Sequence, residues 1–270
     1  MIDSHFADNP EALDWLLDQG VDITRTDIHK TDTGRPLPNN GKRSGSFDYS
    51  LKLLNNIAER GDIQLFDHIV SRGADPLRSL ALHRASKCAN TEKSLAMIDH
   101  LLDQHHMDIE AHTRVLRPLI HYPGDSGTPL VCAVWYKNIA AVQHLLNRGA
   151  NPRSAIQIAI GRPSAPHGWL PAVGPLLKAG ADVGYTLESA VDRKNLEAAE
   201  LCVAYGADPS IMHEKLQLRA SRKAAGLEIS DEEDCGENHS SADDEEESEK
   251  RTKVKKFLSA ATEARQNASQ

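Results

Sequence analysis

At 270 residues, with 40% hydrophobic but only 4% aromatic residues, the chain is long enough to bury a sizeable core built mainly of Leu, Ile, Val and Ala. It holds no run of 18 apolar residues to cross a bilayer. Residues 1–15 lack the basic and apolar regions of a secretory signal. The net charge of −8 is unevenly placed: residues 228–270 carry thirteen acids and six bases, so the body is nearly neutral and does not advertise nucleic-acid binding. Cys88, Cys132, Cys202 and Cys235 show no C-x-x-C spacing, so reduced thiols in an intracellular compartment are expected.

In chain order, Pro10–Leu17 followed by Gly20 reads as the second helix of a helix pair whose first helix is missing or degenerate. Asn9 is its expected cap, and Pro10 suits its first turn. Thr24–Ser46 is polar and rich in Gly, Pro, Asn and Thr, and reads as a long loop. From Ser50 to Pro76, Leu54, Ile57 and Ala58 stripe one helix. Gly61-Asp62 turns the chain, and Leu65, Phe66, Ile69 and Val70 stripe a second helix that ends at Gly73-Ala74-Asp75-Pro76. Leu82-His83-Arg84-Ala85 starts the next pair. Its second stripe is Met97, Ile98, Leu101 and Leu102, and its end, His105-His106-Met107-Asp108, is irregular.

The clearest unit is Asp125–Pro152. Thr128 caps and Pro129 opens a helix striped by Leu130, Ala133 and Val134. Val142, Leu145 and Leu146 stripe the following one, which Gly149 ends. Neither helix is long enough to hold itself together in water, so both must bury their apolar faces against neighbours. Two more units follow. One, at Ser154–Val183, carries an insertion at Gly161–Pro171 and a proline, Pro175, that confines its second helix. The other is Tyr185–Pro209.

Thr128-Pro129-Leu130-x-x-Ala133, followed by Leu145-Leu146-x-x-Gly149-Ala150-Asn151, resembles the ankyrin repeat, whose period is about 33 residues. The unit departs from the family at Val131, where histidine is preferred, and at Lys137-Asn138, where glycine-histidine is preferred. The endings at Asp75, Asp108, Asn151, Asp182 and Asp208 are spaced by 33, 43, 31 and 26 residues, so the later units need a finger insertion or shortening.

The resemblance implies an all-α solenoid of stacked helix-turn-helix units with a disordered acidic C-terminal tail. The expected organisation is a half repeat and polar loop at 1–49, repeats at 50–209 and a capping helix at 210–227. An acidic disordered tail at 228–250 and a basic short helix or disordered tail at 251–270 complete it.

Functionally, the resemblance implies a non-catalytic scaffold or adaptor that recognises a protein partner through a concave groove. Trp135 and Tyr136 are the expected hot spots, with Lys87 and Arg193 at matching groove positions and Arg78, Arg153 and Tyr185 at finger tips. Glu59, Arg60, Ser86 and Asp192 share the groove, and Ser79 and Ser154 the finger tips. His83 occupies the family's histidine position, which ties neighbouring repeats by hydrogen bonds.

No phosphate-binding glycine motif occurs. The histidine stretch His100, His105, His106 and His112 has no cysteine close by, so no metal, cofactor or catalytic residue is assigned. A nuclear regulator acting through the acidic–basic tail, with Lys250–Lys256 as an import signal, is the alternative. An enzyme with a cysteine nucleophile ranks behind both. The expected location is cytoplasmic, nuclear or both.

Overall fold

A computed structural model describes residues 10–19, 26–27, 47–113, 127–161, 168–224 and 241–268. Chain packing divides the protein into two compact units, Met1–Ser154 and Ala155–Gln270.

In the first unit, helices α1 (Pro10–Asp18), α2 (Tyr49–Arg60), α3 (Ile63–Ser71), α4 (Ala81–Ala85), α5 (Thr91–Asp103), α6 (Pro129–Trp135) and α7 (Ile139–Asn147) follow in order. Two-residue strands at Thr26–Asp27 and Phe47–Asp48 pair antiparallel just before α2. Helices α2, α4 and α6 form an inner row, and α1, α3, α5 and α7 an outer row.

Each inner helix turns sharply into its outer partner, and the turn is set by local chemistry. Gly61 has φ of 70° and is followed by Asp62, whose carboxylate caps α3 by accepting from the Leu65 N–H at 3.1 Å. Lys137 takes the same left-handed conformation, with φ of 59°, and is followed by Asn138. Asn138 caps α7 through the Ala141 N–H at 3.1 Å and also donates backwards to the carbonyls of Ser86 and Cys88. The departure from glycine-histidine at Lys137-Asn138 therefore keeps the turn and adds a tie to the preceding pair.

The core lies between the rows. Leu54, Ile57, Ala58, Phe66, Ile69, Leu82, Ala85, Met97, Ile98, Leu101, Leu130, Ala133, Val142 and Leu145 are completely buried. Each such Leu, Ile or Phe contributes about 1.5–3 kcal/mol relative to exposure. Val70, Leu102 and Leu146, expected in the same stripes, are only half-buried.

Polar groups fix the inner row. The Leu80 N–H donates to Asn55 Oδ1 at 2.7 Å. His83 is buried, with Nε2 3.1 Å from the Gly127 carbonyl oxygen. Thr113 and Gly127 close the base of the long connection with two hydrogen bonds of 3.0 and 2.9 Å; residues 114–126 lie outside the described set.

The outer row is held by a repeating ladder. An Asp on one helix accepts from the His one turn-register further along on the next: Asp14 from His68 at 2.5 Å, Asp67 from His100 at 2.7 Å, Asp99 from His144 at 2.7 Å. A second row pairs Asp18 with Arg72 at 2.6 Å and Asp103 with Arg148. This ladder sets α1 beside α3 as an outer helix.

The second unit begins within α8 (Arg153–Ile160) and continues with α9 (Val173–Lys178), α10 (Val183–Asp192), α11 (Leu196–Ala204), α12 (Pro209–Ala224) and α13 (Ser241–Ala268). Ile156, Ala159, Leu176, Leu187, Ala190 and Cys202 are buried here. Leu201, expected in the stripe, is half-exposed, and the small residues Ala198, Ala199 and Cys202 face the core instead.

Pro175 is accommodated because it falls in the first turn of the short α9, where a missing N–H has no intrahelical acceptor to lose. The Trp169 backbone N–H donates to the Ala159 carbonyl at 2.7 Å. The insertion expected at Gly161–Pro171 lies partly outside the described residues, at 162–167.

The C-terminal region departs from the expected division into an acidic disordered tail and a separate short basic segment. Residues 241–268 form one helix that crosses the acid–base boundary. The reason is twofold. Glu249 and Lys253 pair at 2.8 Å with i, i+4 spacing, and Val254, Leu258 and Thr262 are buried at four-residue spacing against α11 and α12. Residues 225–240, the rest of the acidic run, lie outside the described set, as does the polar segment at 28–46.

Candidate functional site

The C-terminal ends of the inner helices place a line of polar and aromatic side chains on one face of the first unit. Glu59, in the last turn of α2, accepts from Lys87 at 2.8 Å and from Arg84 at 3.4 Å. Lys87 Nζ in turn sits 4.8 Å from the centroid of the Tyr136 ring. Glu59, Lys87 and Tyr136 belong to three successive helix pairs, so the contact chain runs across the inner row. Trp135, the last residue of α6, is half-buried beside Tyr136.

The electrostatics of this face follow from the count of charges. One carboxylate is shared by two cations, so the cluster is cationic and has an aromatic edge. The ion pairs are only partly exposed, with side-chain exposures of 23–34%, and each of them or the cation–π contact contributes on the order of 1 kcal/mol.

The other expected contact residues are placed separately. Arg78 is exposed at the end of the single turn Pro76–Arg78, next to Leu77, which is 54% exposed. Ser79, expected beside it at the finger tip, is completely buried: its hydroxyl donates to the Pro76 carbonyl at 2.6 Å and accepts from the Ala81 N–H at 3.2 Å. It terminates the turn and starts α4, a structural task that its polarity concealed. Arg153 is exposed at the start of α8, its N–H donating to Asn151 Oδ1 at 2.9 Å.

In the second unit, Tyr185 is 53% exposed near the start of α10. Arg193 ends that helix and donates to Gln157 Oε1 at 2.9 Å. Gln157 also donates to Ser189 at 3.3 Å, and Asp192 and Glu188 pair with Arg219 and Lys215 of α12. The seven expected contact residues thus divide between the units: Arg78, Lys87, Trp135, Tyr136 and Arg153 in the first, Tyr185 and Arg193 in the second. Glu59, already expected in the groove, and Arg84 together organise the first-unit cluster. Arg84 lies inside the helix-start motif, where a structural role is the default expectation.

Among the described residues, cysteine chemistry gains no support from the geometry; Cys235 lies outside them. Cys88, Cys132 and Cys202 are buried free thiols, and burial pushes the Cys202 thiol up to about 11, away from the thiolate that attack requires.

Residues 127–157 match the ankyrin repeat family model, the stretch that holds Thr128-Pro129-Leu130, Gly149-Ala150-Asn151 and both aromatic residues of the face just described. No curated protein matches the chain.

Proposed function

From the ankyrin-repeat match at residues 127–157 and the geometry of the inner-helix face, we propose a non-catalytic role as a scaffold or adaptor that binds another protein through that face of the first unit. The observation that carries this reading is the chain of contacts Glu59–Lys87–Tyr136, with Trp135 alongside. Large aromatics beside a partly neutralised cationic cluster match the composition of interface hot spots, where Trp, Tyr and Arg dominate. A partner segment with acidic and apolar side chains complements that surface. Repeat proteins present such faces because neighbouring units hold their inner helices in register.

The test is the double variant Trp135→Ala, Tyr136→Ala. It is expected to weaken partner capture at least about tenfold, equivalent to about 1.4 kcal/mol, with the melting temperature held. Equal losses of stability and capture would assign the two rings to the core instead.

A second reading, regulation through the C-terminal segment, rests on Lys250, Arg251, Lys253, Lys255 and Lys256, which are all exposed on α13. Replacing Lys250, Arg251, Lys253, Lys255 and Lys256 by Gln, which leaves the buried Val254 and Leu258 in place, would then abolish nuclear accumulation, whereas unchanged localisation would remove that reading.

A further inference from the structure

The Asp–His ladder of the outer helices contains one rung unlike the others. Asp99 receives one imidazole, His144, and one guanidinium, Arg148, both at 2.7 Å. Asp14 receives His68. Asp67 receives two imidazoles: His100 Nε2 at 2.7 Å and His105 Nε2 at 2.9 Å. The two rings meet edge to face with centroids 5.1 Å apart, and the His105 ring is braced on Phe66 at 5.3 Å. A guanidinium has no lone pair to give a metal, and an imidazole does. Among the described residues, Asp67, His100 and His105 form a group whose ligand atoms all lie within 4.8 Å of one another.

A local insertion creates this rung. In the neighbouring outer helices the closing hydrogen bond spans five residues, Ala74 N–H to Ile69 and Ala150 N–H to Leu145. In α5 it spans six, Met107 N–H to Leu101. The left-handed position that Gly73 and Gly149 occupy is taken by His106, with φ of 50°. The extra residue is therefore accommodated ahead of it, and His105 folds back onto Asp67. Both imidazoles are mostly shielded, with side-chain exposures of 14% and 16%, while the carboxylate keeps 47%. Asp67 Oδ1 accepts from both imidazoles, so the three side chains already converge on one point.

We propose that Asp67, His100 and His105 form a binding site for a divalent transition-metal ion, best suited to Zn²⁺. Two nitrogens and one carboxylate oxygen are a donor set for zinc and its neighbours in the transition series, and a poor one for Ca²⁺ or Mg²⁺, which prefer oxygen. The nitrogen–oxygen separations must open by about 0.5 Å for each ligand to lie about 2.0–2.1 Å from one ion. The solvent-facing edge of Asp67 leaves a fourth position for water or for a donor from a bound protein. Each imidazole presents its Nε2 lone pair to the ion and carries its proton on Nδ1, and any imidazolium releases its proton first.

The experiment is titration of the full chain with Zn²⁺ alone, followed by calorimetry and by the rise in melting temperature. Visible absorption with Co²⁺ in its place reports the donor atoms. One equivalent is expected to bind with a nitrogen–oxygen spectrum free of thiolate charge transfer. His105→Gln, His100→Gln and Asp67→Asn are each expected to weaken binding at least about tenfold, the scale on which even supporting residues of metal sites act.

His144→Gln, which removes a ladder hydrogen bond but no proposed ligand, is expected to leave the affinity unchanged. Melting curves without metal confirm that each variant folds, and His105→Gln changes a loop residue, so it retains a folded chain for comparison. The proposal is overturned if the wild-type chain binds no Zn²⁺, if the spectrum shows thiolate ligation, or if any of the three ligand variants that folds binds as well as the wild type.

Discussion

Asn138 donates from its side-chain amide to the carbonyl oxygen of Ser86, 52 residues earlier in the chain, at 3.2 Å. The same nitrogen lies 3.2 Å from the Cys88 carbonyl and 3.3 Å from the Ser94 hydroxyl, while the amide oxygen caps α7. One side chain thus starts a helix and ties it to the pair before. Asn90 caps α5 through the Lys93 N–H at 3.0 Å. Asn138→Ala is expected to cost about 2–3 kcal/mol, a lost cap plus acceptors deprived of a donor. Asn90→Ala is expected to cost about 1 kcal/mol. Denaturant unfolding of both variants measures the difference, and equal losses would show that the backward hydrogen bonds contribute nothing.

The docking of α13 rests on Leu258, which is completely buried, and Val254, which is nearly so. Leu258→Ala is expected to destabilise by about 2–4 kcal/mol, as for other buried leucines. Hydrogen exchange is expected to accelerate across 241–268 and to stay unchanged across 47–113, because the two segments belong to different compact units. Unchanged protection of 241–268 would mean that the helix holds without its apolar contact.

Asp208 begins α12 and accepts from the Ser210 hydroxyl at 2.6 Å and the Ser210 N–H at 3.0 Å. These bonds, and the charge of Arg265, hold its carboxyl below the ordinary 3.8. A group lowered by folding stabilises the protein fully above its unfolded value, and that contribution is lost as pH falls through the folded one. Protection of the start of α12 is therefore expected to decline below about pH 4 in the wild type. It is expected to be flatter with pH in Asp208→Asn, which keeps the cap and removes the titration. Parallel pH profiles would place the acid sensitivity elsewhere.

Local chemistry made much of the fold legible. Thr128-Pro129, with an apolar stripe behind it, starts α6 as its residue types imply. The Gly73 and Gly149 stops declare a left-handed residue, and His83 bonds across to Gly127 as its position in the motif implies. Quantities that depend on distant partners were not legible. Asp67 meets His100 and His105 from 33 and 38 residues away, so a search for ligands within the histidine stretch itself could not find it. Ser79 holds a finger-tip position in the sequence, yet it is buried as a turn-ending hydroxyl. Leu201 looked like core because its own helix is apolar nearly all round, and only packing decides which face turns inward.

The interaction face is tested most directly by site-specific photo-cross-linking in cells. A photoreactive phenylalanine analogue is placed at Tyr136, on the inner face, and in a second protein at Gln143, which is exposed on the outer helix α7. The account predicts a discrete protein adduct from position 136 and none from position 143. Adducts from position 143 alone, or the same adducts from both, would contradict it.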